Sequence, residues 1–364
     1  MHPSLTLSTY IGRQFLLGVA MVFLFFIAVI FLIDVVELSR RGATREAVTL
    51  AIVLEMALLK LPYMAQKIVP FAALFGGMFT FLKLTRTHEL IVARAAGVSA
   101  WQFLLPALAL ALAIGIFIIA VFNPLVSVTV SRYEQTEAKY FKGRSSLLAV
   151  SSSGLWLREG DQNRRSVIHA LRVAPDEMEL DRVIIFLYDG ADRFVRRIDA
   201  KTAKLEDGYW YLTDAILTTP DKPAETRPHY RLKTDLTMDR IQDSFAPPET
   251  MSFWVLPKFI GTLEAAGFSA RKHRLYWHAV LAGPLLLCAM VLIAATCSLR
   301  FTRQGGTGVL VLGGLLAGFL LYFLSDVVFA LGLSGSVPAV LAAWAPAVVS
   351  TLLGLAMLLH LEDG

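Results

Sequence analysis

The chain has 364 residues, 56% of them hydrophobic and only 17% charged, and its mean hydropathy is +0.60. That balance is too apolar for a water-soluble chain of this length. The net charge of +5 is modest, so a membrane rather than nucleic acid is the expected partner.

Six apolar runs occupy residues 15–36, 61–82, 102–122, 277–299, 308–331 and 339–360. Each is about twenty residues, enough to cross a ~30 Å hydrocarbon core as a helix. The first is too long for a signal-peptide core. It continues into Asp34-Val35-Val36-Glu37 rather than a small-residue cleavage site, so it is expected to stay as an anchor. The fold class is therefore an α-helical membrane protein of six transmembrane helices, three on each side of a polar insertion.

The loop between the second and third runs carries Thr87, Glu89, Leu90, Arg94 and Gly97. Thr87 can cap a short helix, Glu89 suits its first turn, where the dipole favours a carboxylate, and Gly97 can close it. A helix over about 87–96 follows. Its apolar residues fit either a groove on a soluble partner or the membrane interface.

Residues 123–272 form the insertion. Val183-Ile184-Ile185-Phe186-Leu187-Tyr188 reads as a strand, and Lys204-Leu205-Glu206 meets Tyr209-Trp210-Tyr211-Leu212 across Asp207-Gly208. An Asp-Gly pair between such runs is a strong hairpin signal. Further strand-like pieces lie at 154–158, 166–172, 194–200 and 229–236. The expectation is an antiparallel β domain of seven or eight strands, sandwich or jellyroll in form. An amphipathic helix over about 255–266 should follow, with Leu256, Phe259, Ile260 and Leu263 on one face.

Cys288 and Cys297 fall nine residues apart in the fourth run. On a helix that is opposite faces and ~13 Å of rise, too far to bridge.

With six spans both termini share one side, and the loop bearing Arg40, Arg41 and Arg45 shares the other with the β domain. Short-loop basic residues do not choose the cytoplasmic side. Arg13, Lys83, Arg86, Arg94, Arg300 and Arg303 balance Arg40, Arg41, Arg45, Arg271, Lys272 and Arg274. A basic cluster beside the β domain suits an anionic lipid headgroup or sugar phosphate; ordinary phospholipid on an inverted, cytoplasmic face is the alternative. Asp34 and Lys67 sit near span ends, where snorkelling accounts for them. Asp326 is deeper and suits an interhelical or subunit contact.

Glu89-Leu90, Arg94-Ala95-Ala96-Gly97-Val98-Ser99, the start Tyr10-Ile11-Gly12-Arg13 and the three-plus-β-plus-three layout together resemble the LptF/LptG family of lipopolysaccharide-export permeases, over essentially the whole chain. The 36–41 exit, the 256–267 helix and the 321–331 stretch lie nearer its LptG branch.

The resemblance implies the permease subunit of an ABC-type exporter in the bacterial inner membrane, with both termini cytoplasmic and the β domain periplasmic. It implies three protein partners: an LptF-like permease, an LptB-like ATPase dimer, and an LptC-like single-span protein with its own jellyroll. Residues 1–122 and 273–364 would then be the two membrane blocks around the β domain. Glu89, Leu90, Arg94 and Gly97 would belong to the helix that couples to the ATPase. Arg40, Arg41, Arg45 and, approximately, Arg132 would meet lipid A phosphates. The family's deeper basic residue in the first span aligns with Asp34, which puts that contact in doubt. No Gly-x-x-x-x-Gly-Lys-[Ser/Thr] loop occurs in the sequence, so ATP and Mg are expected in the partner ATPase and no cofactor or enzyme activity in this chain. A receptor reading would need a signalling domain, for which residues 1–14 and 361–364 are short. A secondary transporter would need broken-helix midplane sites, for which Asp326 beside Gly313-Gly314 is thin support.

Overall fold

A computed structural model describes residues 5–45, 48–95, 97–142, 148–151, 154–161, 164–174, 179–189, 193–206, 208–220, 222–234, 236, 245–265, 268–298 and 307–363. The helices are α1 (Leu5–Gly42), α2 (Leu50–Arg86), α3 (Glu89–Ala95), α4 (Ala100–Phe117), α5 (Asn123–Glu137), α6 (Leu256–Ala265), α7 (Arg271–Ser298), α8 (Thr307–Ser334) and α9 (Ala339–Asp363). Among the described residues, six helical stretches are long and apolar enough to cross a membrane: Thr6–Gly42, Leu50–Arg86, Trp101–Phe141, Arg271–Ser298, Leu312–Ser334 and Ala339–His360. The chain divides into two compact units. One comprises Met1–Phe141, Glu249–Trp254 and Arg274–Gly364, the other Lys142–Pro248 and Val255–His273.

The first three spans outrun their apolar cores. At 1.5 Å per residue the 38 residues of α1 extend about 57 Å, well beyond a ~30 Å hydrocarbon layer. The third corrects the boundary expected at 123. Helix continues through a π-turn at Ile118–Phe122, then α5, then a second π-turn at Ala138–Lys142, so the first strand begins only at Leu148. Pro124 explains the first π-turn. It has no N–H for the Ala120 carbonyl four residues back, and the Asn123 amide reaches instead to Ile118. The Trp254 indole takes the freed carbonyl at 3.5 Å.

α1 and α2 cross at glycine. A Cβ on Gly76 would sit 2.5 Å from the Val19 Cα and 2.8 Å from the Gly18 carbonyl carbon, so the two backbones touch there. Lipid tails are as apolar as leucine, and close backbone approach is what holds helices together in a membrane. Ile11, Phe15, Leu74, Phe81, Leu104 and Val291 pack around this crossing.

The second unit holds seven strands: β1 (Leu148–Ser151), β2 (Gly154–Asp161), β3 (Arg164–Ala174), β4 (Glu179–Asp189), β5 (Phe194–Glu206), β6 (Tyr209–Thr219) and β7 (Lys222–Lys233). The pieces expected at 194–200 and 204–206 are one strand. All neighbours are antiparallel and the order is β1 to β7 in sequence, a meander.

A crease gives this single sheet an interior. Side chains should alternate faces strictly, yet the buried series skip a residue: Leu180 then Val183 then Ile185 in β4, Ile198 and Ala200 then Ala203 in β5, Trp210 and Leu212 then Ala215 and Leu217 in β6. The skips line up across the ladders at Arg182, Lys201 and Asp214, with Pro228 alongside in β7. Arg182 and Asp214 take left-handed φ angles of 50° and 52°. The sheet folds over on this line. Arg196 and Tyr230 lie about seven residues apart in level, roughly 20 Å on a flat sheet, yet the Arg196 guanidinium reaches the Tyr230 hydroxyl at 3.4 Å.

α6 groups with the sheet and lies beside β1. Leu256, Ile260 and Leu263 form its buried face, while Phe259 packs instead on His273 with ring centroids 5.1 Å apart.

Candidate functional site

Two sets of residues stand at opposite ends of the antiparallel α1–α2 pair. At the C-terminal end of α1 the chain gathers charges from three helices. Asp34 pairs with Lys60 of α2 at 2.7 Å. Arg41 pairs with Glu137 of α5 at 2.9 Å, and that carboxylate's side chain is only 10% exposed. Arg45 donates to the carbonyl of Tyr140 at 2.7 Å and to that of Phe141, a cation on the last carbonyls of a helix, where the dipole favours it. Both guanidinium groups lie over the Phe141 ring, at 5.2 and 5.3 Å. Beneath them Leu38, Val53, Met56, Ala57 and Tyr133 make a small apolar core.

The four arginines therefore differ. Arg41 and Arg45 are engaged within the protein and fasten the α1 exit to the end of the third span. Arg40 projects outward with its side chain 75% exposed and, among the described residues, pairs only with Glu37 three residues back. Arg132 is exposed on α5. Asp34, which aligns with the family's deeper basic residue, is paired with Lys60. Glu137 and Lys60 were missed because their partners are far away in sequence. A signal for the α5 extension did exist: Val126, Val130, Tyr133, Glu137 and Phe141 recur at helical spacing.

At the other end α2 runs to Arg86 and turns sharply into α3. Thr87 caps α2 rather than starting α3: its amide donates to the Lys83 carbonyl, and its hydroxyl donates to the Glu89 carboxylate at 2.9 Å. His88, with φ of 60°, makes the turn. The Tyr10 hydroxyl of α1 lies close to the Glu89 carboxylate. The helix spans seven residues, shorter than the 87–96 expected. The amide of Val98 closes it onto the Ala93 carbonyl at 3.0 Å, with Gly97 at φ +83° and open space where a Cβ would stand, the geometry of a Schellman stop. Ser99 and Gln102 then form a capping box on α4. Leu90 and Arg94 lie in α3 by backbone; their side chains are outside the described residues. Val92 is exposed, an apolar contribution to the outer surface of α3. Among the described residues there is no cluster of metal-ligating side chains.

Six membrane-length helices, an inserted β domain and a short helix in the loop between the second and third spans define a multi-span membrane protein. The match to known proteins is specific. The family model for the lipopolysaccharide export system permease LptF/LptG matches residues 9–360, and the chain belongs to that family. It is similar to the lipopolysaccharide export system permease protein LptG of Escherichia coli K12, with 24% identity over 99% of each chain. It is also similar to LptG of Haemophilus influenzae, with 23% identity over 80% of this chain and 81% of that one.

Proposed function

We propose that this chain is the LptG-like permease subunit of an ABC-type exporter, which extracts lipopolysaccharide from the bacterial inner membrane and directs it toward the outer membrane. The observation that carries this reading is the end-to-end family match on a chain with the three-plus-β-plus-three layout. An LptF-like permease would complete the membrane cavity, and α1 and α8 present many uncovered large apolar side chains for such a neighbour. An LptB-like ATPase dimer would bind ATP and Mg, and an LptC-like protein would receive the cargo. Both termini would be cytoplasmic and the β domain periplasmic.

In this reading α3 is where force enters. Glu89 leads the helix, held by Thr87 and close to Tyr10, so a push on α3 passes directly into α1. At the far end Arg40 and Arg132 offer charge to lipid A phosphates, while Arg41 and Arg45 fix the helices that carry them. Glu89→Lys tests the assignment in the reconstituted complex. Assembly with the ATPase should persist, and ATP-driven lipopolysaccharide release should fall about a hundredfold, the effect of misplacing a coupling group. Export at the wild-type rate by the assembled variant would remove Glu89 from the coupling role.

A further inference from the structure

A second polar cluster sits deeper in the helical unit. Two contacts mark the ends of the apolar stretch shared by α1 and α2: Gln14 with Lys83 at 3.2 Å, and Asp34 with Lys60 at 2.7 Å. Lys67 lies seven residues inside the second mark, about 10 Å of helix rise, deeper than the span end at which the sequence placed it. Its ammonium turns back over the Tyr63 ring at 4.6 Å, and no described carboxylate is within ion-pair distance of it. On the neighbouring α8, Tyr322 packs against Phe71 of α2 at 5.3 Å, and Asp326 follows it one turn along the same helix. Lys67, Tyr322 and Asp326 are all exposed side chains.

An ammonium and a carboxylate at this depth, on adjacent helices and not neutralising each other, are expensive against lipid tails. Such groups face water or a polar ligand. The set is also chemically particular: a cation for a phosphate, an acceptor for sugar hydroxyls or amides, and aromatic faces that pack on a pyranose ring.

We propose that Tyr63, Lys67, Tyr322 and Asp326 form an intramembrane subsite for a phosphorylated sugar headgroup, distinct from the arginines at the end of α1. The inference rests on the permease reading and assigns that cargo a second, deeper anchoring point. Lys67 neutralises the phosphate, and Asp326 accepts from the sugar.

The test uses the full complex in nanodiscs and measures retention of two probes, 1,4′-bisphosphorylated lipid A and its enzymatically dephosphorylated form. Lys67→Gln should weaken retention of the phosphorylated probe about tenfold, the order of one charge-assisted contact. It should leave the dephosphorylated probe within about twofold, and Lys67→Arg should restore binding. Retention of the phosphorylated probe at the wild-type level by Lys67→Gln, or an equal loss for both probes, overturns the subsite while wild-type export leaves the permease reading standing. Competition by phosphatidylglycerol as effective as that of lipid A makes this a general phospholipid site and overturns the sugar assignment. Dissociation of the complex in both Lys67 variants makes it a subunit contact and overturns the proposal. Failure of the wild-type complex to retain lipid A at all would instead sink the permease reading.

Discussion

The Arg41–Glu137 pair allows a direct choice between a structural arginine and a cargo-binding one. Removing Arg41 takes the ion-pair partner from a carboxylate whose side chain is 10% exposed. Breaking a fully buried pair costs about 3–5 kcal/mol. Arg41 itself is 40% exposed, so solvent screening lowers the expectation to ~2 kcal/mol. Loss of its packing over Phe141 adds about 0.5 kcal/mol. Glu137→Gln leaves a neutral group in place and should cost ~1 kcal/mol. The double variant Arg41→Ala/Glu137→Gln carries no carboxylate at 137 and should be more stable than Arg41→Ala alone, with a coupling energy of about 2 kcal/mol. Equilibrium unfolding in mixed micelles measures the cycle, and lipid A retention by each variant is read in parallel. Additive losses together with a retention defect in Arg41→Ala that the second change does not relieve would refute the clamp and return Arg41 to the cargo.

Two further expectations rest on backbone geometry. Gly76→Leu forces a side chain into the Gly18–Val19 backbone and should separate α1 from α2, at a cost of about 3 kcal/mol or more; a cysteine pair bridging the helices at that level should then lose its crosslinking efficiency. At the crease, Asp214→Gly suits the φ of 52° and should be neutral or stabilising. Asp214→Val should cost ~1–2 kcal/mol. Denaturant midpoints of the two variants report this, and equal midpoints would remove the strain.

What was legible in the sequence follows from how local each signal is. Membrane spans announce themselves by composition, and Asp207-Gly208 announced the β5–β6 hairpin, with Gly208 at φ +77°. The overrun of the third span was hidden by Asn123 and Pro124, which look like a helix end but sit at a π-turn. The crease was hidden more thoroughly. Arg182, Lys201 and Asp214 are ordinary polar residues within strand-like runs, and only the register of three ladders brings them into line. The clamp joins residues 96 apart in sequence, and nothing in either neighbourhood points to the other. Arg40, Arg41 and Arg45 looked alike as a basic loop, and only their partners separate them.

The order of the sheet has a consequence for how the chain is made. Every ladder joins consecutive strands, and each hairpin can close as soon as its second strand is available, since nearby pairings carry the smallest loop-closure cost. The domain can therefore zip up strand by strand between the third and fourth spans, before the last three helices exist. A Greek-key insertion would wait for its final strand with hydrophobic faces open. Here each new strand extends a surface that the crease then turns inward, so the growing chain crosses the membrane three more times with its β domain already assembled.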